Sequence, residues 1–87
     1  MSTVETTPVT GTVDAGRVAR ARAKLAAARL RVKACQQDQY AAGYTRQAEH
    51  PIYPGQEAVC GQKAAEGQAF AAQTRAEADL IEAEAGL

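Results

Sequence analysis

The chain has 87 residues, with ten basic and ten acidic side chains and a formal net charge of zero. This length allows one small domain at most, and a neutral chain has no overall attraction to nucleic acid or to an anionic membrane. Its 46% hydrophobic fraction is dominated by 21 alanines, with one phenylalanine and no tryptophan. Because alanine buries little apolar area, the fold is expected to be marginally stable alone, and a protein partner or a homo-oligomer is expected.

Residues 1–13 precede the first helical pattern and are rich in Thr and Val, with Pro8 and Gly11 among them. This composition predicts an extended or disordered arm. The first residues lack the basic and apolar regions of a Sec signal, so cytoplasmic synthesis is expected. No apolar run in the sequence reaches the length of a membrane span.

The first helix is predicted to begin at Asp14, or two residues earlier at Thr12, since either side chain can cap a helix N-terminus. Its apolar residues follow a heptad repeat, which predicts that one stripe packs against a second helix. That stripe comprises Val18, Leu25, Val32 and Gln39 at one heptad position and Ala21, Ala28, Cys35 and Ala42 at the other. The helix spans about 14–43, ending at Gly43, or extends to 49, ending near Glu49 because Pro51 follows.

The second helix is predicted to follow a turn at about 50–55 and to span about 56–85, with Gly86 as its C-terminal cap. Its packing stripe consists almost entirely of small residues: Cys60, Ala64, Gly67, Ala71, Thr74, Ala78, Ile81 and Ala85. The first helix is basic and the second acidic, which favours an antiparallel arrangement with opposite charges side by side. The sequence therefore predicts an all-α fold, in which residues 14–87 form an antiparallel two-helix hairpin, an Ala-rich coiled coil.

Cys35 and Cys60 are the two cysteines, and both lie on the predicted packing stripes. If the first helix ends at Gly43, the middle of the hairpin falls midway between them and the two thiols lie almost level. A disulfide across the hairpin then becomes feasible. The alternative is a pair of buried thiols that pack as small apolar groups.

Four residues cluster around the predicted turn and hold most of the aromatic surface of the chain: Tyr40, Tyr44, Ile52 and Tyr53. Tyrosine is common at protein interfaces because it is large, rigid and amphipathic. These residues are a candidate partner interface, and they can also cover the open end of the hairpin as a small core. Tyr53 lies between Pro51 and Pro54, whose stiffness favours its use as an anchor.

Seven basic residues and no acid lie between Ala15 and Lys33: Arg17, Arg20, Arg22, Lys24, Arg29, Arg31 and Lys33. They are candidate phosphate contacts. The stretch has no interleaved aromatic residue and no recognition-helix pattern. We therefore favour a charged face that the acidic second helix neutralises.

The sequence contains no glycine-rich phosphate loop, catalytic triad, paired catalytic carboxylates or metal-ligand spacing. We accordingly expect no enzyme activity, no cofactor and no metal. We expect a non-enzymatic structural or accessory subunit that docks into a larger protein assembly, such as a phage virion component or a small stabilising subunit of a bacterial complex. The alternative is a nucleic-acid-binding module that uses the basic face of the first helix.

Overall fold

The computed structural model describes residues 14–87, which form two long helices, α1 (Ala15–Glu49) and α2 (Gln56–Glu84). The helices pack against each other as an antiparallel hairpin, joined by residues 50–55. The predicted all-α hairpin is therefore confirmed. The predicted arm, residues 1–13, lies outside the described residues.

The ends of α1 follow local chemistry. Asp14 caps its start, because the Asp14 side chain accepts a hydrogen bond from the Gly16 amide at 2.9 Å. The helix continues through Gly43 and ends at Glu49, so the longer of the two predicted helices is correct. A glycine within a helix costs about 1 kcal/mol, and the packing of the following turns against α2 offsets this cost. Pro51 follows the C-cap residue His50 and stops the helix.

The turn is closed by the first side chain of α2. Gln56 is only 7% exposed, and its Oε1 accepts a hydrogen bond from the Ile52 amide. Gly55 precedes it with φ of 87°, a left-handed conformation that L side chains rarely adopt. The turn is therefore held by a buried amide and a glycine.

The packing stripe predicted for α2 is confirmed. Its buried residues include Cys60, Ala64, Gly67, Ala71, Thr74 and Ala78, and Ile81 and Ala85 are half-buried at its end. The predicted cap is also present: Gly86 has φ of 75°, and the Leu87 amide donates to the Glu82 carbonyl at 2.8 Å. This 6→1 bond is that of a Schellman motif.

The packing stripe predicted for α1 is wrong. The buried residues of α1 are Ala27, Ala34 and Ala41, with half-buried Leu30, Gln37 and Tyr44 between them. The predicted stripe lies on the opposite side of the helix, where Leu25 is 50% and Val32 59% exposed. Its second row, Ala21, Ala28, Cys35 and Ala42, is exposed as well.

The close approach of the two helices explains why the alanine stripe of α1, and not the stripe with Leu25 and Val32, is buried. A Cβ atom added to Gly67 would lie 3.0 Å from the Ala41 Cβ, closer than nine in ten real contacts of a Cβ atom. No Leu or Val side chain fits in such a gap, because overpacking costs about 1–3 kcal/mol. The small stripe of α2 therefore packs against the alanine stripe of α1, and Leu25 and Val32 face outward.

The contacts between the helices fix their register. Arg31 forms an ion pair with Asp79, and Gln47 accepts a hydrogen bond from Cys60. Each step forward along α1 therefore matches roughly one step back along α2. By this register, the last residue of α2, Glu84, lies level with about the fifth residue before Arg31. The first eleven residues of α1 extend about 16 Å beyond it.

Candidate functional site

A shallow groove of about 380 Å³ runs along one side of the hairpin, between the two helices. Its lining includes Lys33, Gln36, Tyr40, Lys63, Glu66 and Phe70. Tyr40 and Phe70 lie level in the register and are 62% and 58% exposed. We call this surface the aromatic groove, and it combines two exposed rings with charges of both signs.

Tyr40 is held in place by its neighbour one turn along α1. The rings of Tyr40 and Tyr44 meet edge to face, with their centroids 5.0 Å apart, and their hydroxyl oxygens lie 3.0 Å apart. The hydrogen bond between the two hydroxyls is the main cause that raises the pKa of Tyr44 above its usual value. The ring contact and the hydrogen bond make the pair a fixed aromatic edge of the groove.

Of the four residues in the predicted partner interface, two lie at the turn itself. Ile52 is 87% exposed and Tyr53 is 52% exposed. We call this pair the turn tip. Tyr40 lies nine residues before the end of α1, which is about 14 Å from the turn, and Tyr44 accompanies it. The single cluster expected at the turn is therefore wrong: the longer α1 divides it into the turn tip and the aromatic groove.

The seven basic residues between Ala15 and Lys33 meet few acids of α2. Within residues 14–87, Arg31 is the only one of them in an ion pair. Its Nη2 lies 2.8 Å from Asp79 Oδ1 and 2.6 Å from Glu82 Oε1. The Arg31 hydrogen bond is the main cause that lowers the pKa of Glu82 below its usual value. A further pair, between Asp38 and Arg75, joins the helices in the reverse order of charge.

The start of α1 carries positive charge where α2 is absent. Arg17, Arg20 and Arg22 are all exposed and lie on the segment that extends beyond the last residue of α2. Lys24 belongs to the same segment and is exposed too. The expected neutralisation of the basic stretch by α2 thus applies to its C-terminal part, around Arg31.

Of the two alternatives for Cys35 and Cys60, the disulfide is not formed. Both thiols are free. Cys60 is buried and its Sγ donates to Gln47 Oε1 at 3.5 Å. Cys35 precedes Gln47 by twelve residues, so the two cysteines lie about 18 Å apart along the hairpin, whereas bonded cysteines have Cα atoms within about 7 Å. The reason is the continuation of α1 past Gly43, which moves the middle of the hairpin away from Cys35. The alternative of buried thiols holds for Cys60 only, because Cys35 is exposed.

Sequence reasoning missed Phe70 and Lys63 as members of a surface site, and Gln56 as the buried amide that closes the turn. A signal for the first two was present. Val59, Lys63, Glu66 and Phe70 follow one another in steps of four and three, which place them on one side of a helix beside the small stripe. No comparable periodic signal marks Gln56.

Residues 14–87 contain neither a metal-ligand cluster nor a membrane-spanning helix. No group of three or more His, Cys, Asp or Glu side chains is arranged there to hold a metal ion. Neither helix has the combination of length and apolar character that a membrane crossing requires. Three surfaces of the described residues stand out: the aromatic groove, the turn tip and the basic start of α1.

Comparison with protein-family models, with curated proteins and with solved structures finds no match to this chain.

Proposed function

We propose that the protein is a non-enzymatic accessory subunit that docks into a larger protein assembly. The observation that carries this proposal is the mismatch between what the hairpin buries and what it exposes. The buried apolar residues are six alanines and Cys60. The large apolar side chains at least 46% exposed are Leu25, Val32, Tyr40, Ile52, Tyr53, Val59, Phe70, Leu80 and Leu87.

This mismatch has an energetic consequence. Burial of a Val, Leu, Ile or Phe side chain contributes about 1.5–3 kcal/mol, and the hairpin forgoes most of that contribution. A partner surface that covered these groups would recover that contribution. As a phage virion component or as a small stabilising subunit of a bacterial complex, the chain would contact a larger partner protein whose surface buries these groups.

The turn tip supports docking by its end. Ile52 and Tyr53 project at the narrow end of the hairpin, and the Gln56 amide and two prolines restrict the turn that carries them. A rigid tip loses less conformational entropy when it binds. We propose that Tyr53 enters an apolar pocket of the partner protein and acts as an anchor.

The test is the native mass of the particle that contains the tagged chain in extracts of its own host. We expect a particle much larger than the hairpin, with its protein composition established by mass spectrometry. Tyr53→Ala should release the chain from this particle. Val32→Ala is the matched control, because Val32 has a similar exposed fraction and lies away from the tip. Elution of the wild-type chain as a free small species would contradict the proposal.

One observation favours the alternative function, nucleic-acid binding. The exposed Arg17, Arg20 and Arg22 extend beyond the last residue of α2 at the positive end of the α1 dipole, where phosphates are attracted. For an accessory subunit we expect weak binding to duplex DNA and RNA in fluorescence anisotropy. Sub-micromolar affinity near 0.15 M salt, falling steeply with salt and lost in Arg17→Glu/Arg20→Glu, would establish the alternative instead.

A further inference from the structure

We infer that a second copy of the chain covers the aromatic groove, so that two hairpins form a symmetric antiparallel four-helix bundle. In this dimer the two-fold axis runs parallel to the helices, and α1 of each copy lies on α2 of the other. This self-association is a property of the hairpin itself and does not depend on the docking of the turn tip.

The first argument is the placement of the exposed rings. Tyr40 on α1 and Phe70 on α2 lie level on the same side of the hairpin and line one groove. With α1 on α2, Tyr40 of each copy meets Phe70 of the other at the same level. Two aromatic pairs then close over the paired grooves, and each ring becomes buried in a contact of the kind that anchors interfaces.

The second argument is charge complementarity. On the groove side, α1 carries Arg29 and Lys33, which are spaced with Tyr40 in steps of four and seven. The matching side of α2 carries Glu77 and Glu84, each a whole number of heptads from Phe70. Since Lys33 lies level with Glu77 in the register, the dimer places Lys33 of each copy beside Glu77 of the other.

The charges also favour one arrangement of the two copies over the other. In the other two-fold arrangement with facing grooves, the axis is perpendicular to the helices and α1 lies on α1 with the levels reversed. Lys33 and Arg29 then meet residues of α1, and Glu77 and Glu84 meet residues of α2, so the basic stretch of α1 does not meet the acidic stretch of α2. Only the arrangement with α1 on α2 converts the split of charge between the helices into attraction.

The outer side of α1 fits a second copy less well. There Leu25 and Val32 form an apolar stripe, but Arg22 and Lys24 lie beside it. Two such stripes would bring basic residues together. The aromatic groove is therefore the surface that a second copy covers, and the outer side of α1 provides control positions.

The first experiment compares dissociation constants of the purified full chain by analytical ultracentrifugation over a wide concentration range. We expect the wild type to dimerise reversibly. Phe70→Ala should raise the dissociation constant at least a hundredfold, because two anchors are lost per dimer. Val32→Glu, at a position of nearly the same exposed fraction as Phe70, should change it less than about threefold. Circular dichroism verifies that each variant keeps its helix content.

The second experiment tests the arrangement with charge variants that leave the rings intact. Lys33→Glu and Glu77→Lys each place like charges at two contacts per dimer, so each should raise the dissociation constant roughly tenfold. When the two variants are mixed, both contacts of a heterodimer again join opposite charges. Native mass spectrometry should therefore show heterodimers well above the half expected from random mixing.

Three results would overturn the inference. The first is a wild-type chain that remains monomeric up to millimolar concentration. The second is a dimer that Val32→Glu disrupts and Phe70→Ala does not, which would place the contact on the outer side of α1. The third is random mixing of the two charge variants, since contacts within a single hairpin cannot be restored by mixing.

Discussion

The closest approach between the helices is at Gly67, and Gly67→Ala is the most direct test of the packing. Alanine is about 1 kcal/mol more favourable than glycine within a helix, so the substitution would stabilise an isolated α2. In the hairpin, however, the added Cβ would lie 3.0 Å from the Ala41 Cβ and 3.5 Å from the Ala41 Cα. The helices must separate by a few tenths of an ångström, and such overpacking costs about 1–3 kcal/mol. The expected net result is a loss of about 0–2 kcal/mol of unfolding free energy.

Gly61→Ala is the matched control on the same helix. A Cβ at Gly61 would meet no atom within 4 Å, so this variant should gain about 0.5–1 kcal/mol. The two substitutions are chemically identical, and their unfolding free energies should differ by about 1–3 kcal/mol. In a domain of this size that difference corresponds to roughly 4–8 °C of Tm per kcal/mol. Thermal and urea unfolding followed by circular dichroism at one fixed chain concentration would measure it, because self-association makes stability depend on concentration.

A double variant identifies the contact responsible. Ala41→Gly removes the facing Cβ, so the cost of Gly67→Ala should fall by at least about 1 kcal/mol in that background. Equal stabilisation by Gly67→Ala and Gly61→Ala would refute the reasoning. It would show that the helices are farther apart than the structure places them.

Three further predictions follow from the register and the surface chemistry. Ala34→Leu should destabilise the hairpin by about 1–3 kcal/mol because position 34 faces α2. Ala28→Leu, on the outer side, should change the free energy of unfolding by less than about 0.5 kcal/mol. Equal losses in urea unfolding would contradict the observed packing of Ala34 against α2. Cys35 should react with a thiol reagent at least tenfold faster than Cys60, and oxidation should give no disulfide within one chain, which intact-mass and peptide mapping would check. The lowered pKa of Glu82 adds stability that is present above the pKa of Glu82 in the unfolded chain and is lost as the pH falls through its pKa in the folded chain. Glu82→Gln should therefore make the free energy of unfolding fall less steeply at acid pH. An unchanged fall would show that the ion pair contributes nothing.

The fold class and the whole α2 stripe could be predicted from the sequence. In α2 one row repeats in steps of four and three, and all of its members except Ile81 are small. Pro51 and Gly86 mark helix ends by their own backbone chemistry, independently of tertiary contacts. These features are local, and local features can be derived from one sequence.

The α1 stripe could not be predicted, because α1 contains two rows with heptad spacing. The row with Val18, Leu25 and Val32 is more apolar and is the natural choice for a core. Whether it packs depends on the width of the gap that α2 leaves, and Gly67 makes that gap too narrow. Which row of α1 packs is therefore decided by both helices together and cannot be inferred from the sequence of α1 alone.

The aromatic groove could not be predicted either, because its position depends on which residues of α1 lie level with which residues of α2. Tyr40 and Phe70 come together because α1 continues past Gly43, and a shorter α1 would have placed Cys35 level with Cys60 instead. The choice between these arrangements rests on a glycine cost of about 1 kcal/mol, set against the contacts of two further helical turns. The pairing of Gln47 with Cys60 belongs to those turns, and their contacts outweigh the glycine.

In the proposed dimer, the direction of the two-fold axis links self-association to docking. An axis parallel to the helices places both turn tips at the same end of the bundle. Ile52 and Tyr53 are then presented twice at one end, and a partner with two pockets binds both tips. The second tip binds at the high effective concentration set by the first, which strengthens docking well beyond the affinity of one tip.

This link predicts that Phe70→Ala weakens docking although Phe70 is remote from the tip. Phe70 follows Gln56 by fourteen residues, which is about 21 Å along α2, so it does not contact a partner bound at the turn. Loss of the dimer should nevertheless remove the bivalent contribution, and the chain should leave its native particle upon dilution. The measurement is retention in the particle as a function of dilution, compared with Val32→Ala. Retention of Phe70→Ala equal to that of the control would show that each hairpin docks singly, because a partner that binds one tip gains nothing from the second copy.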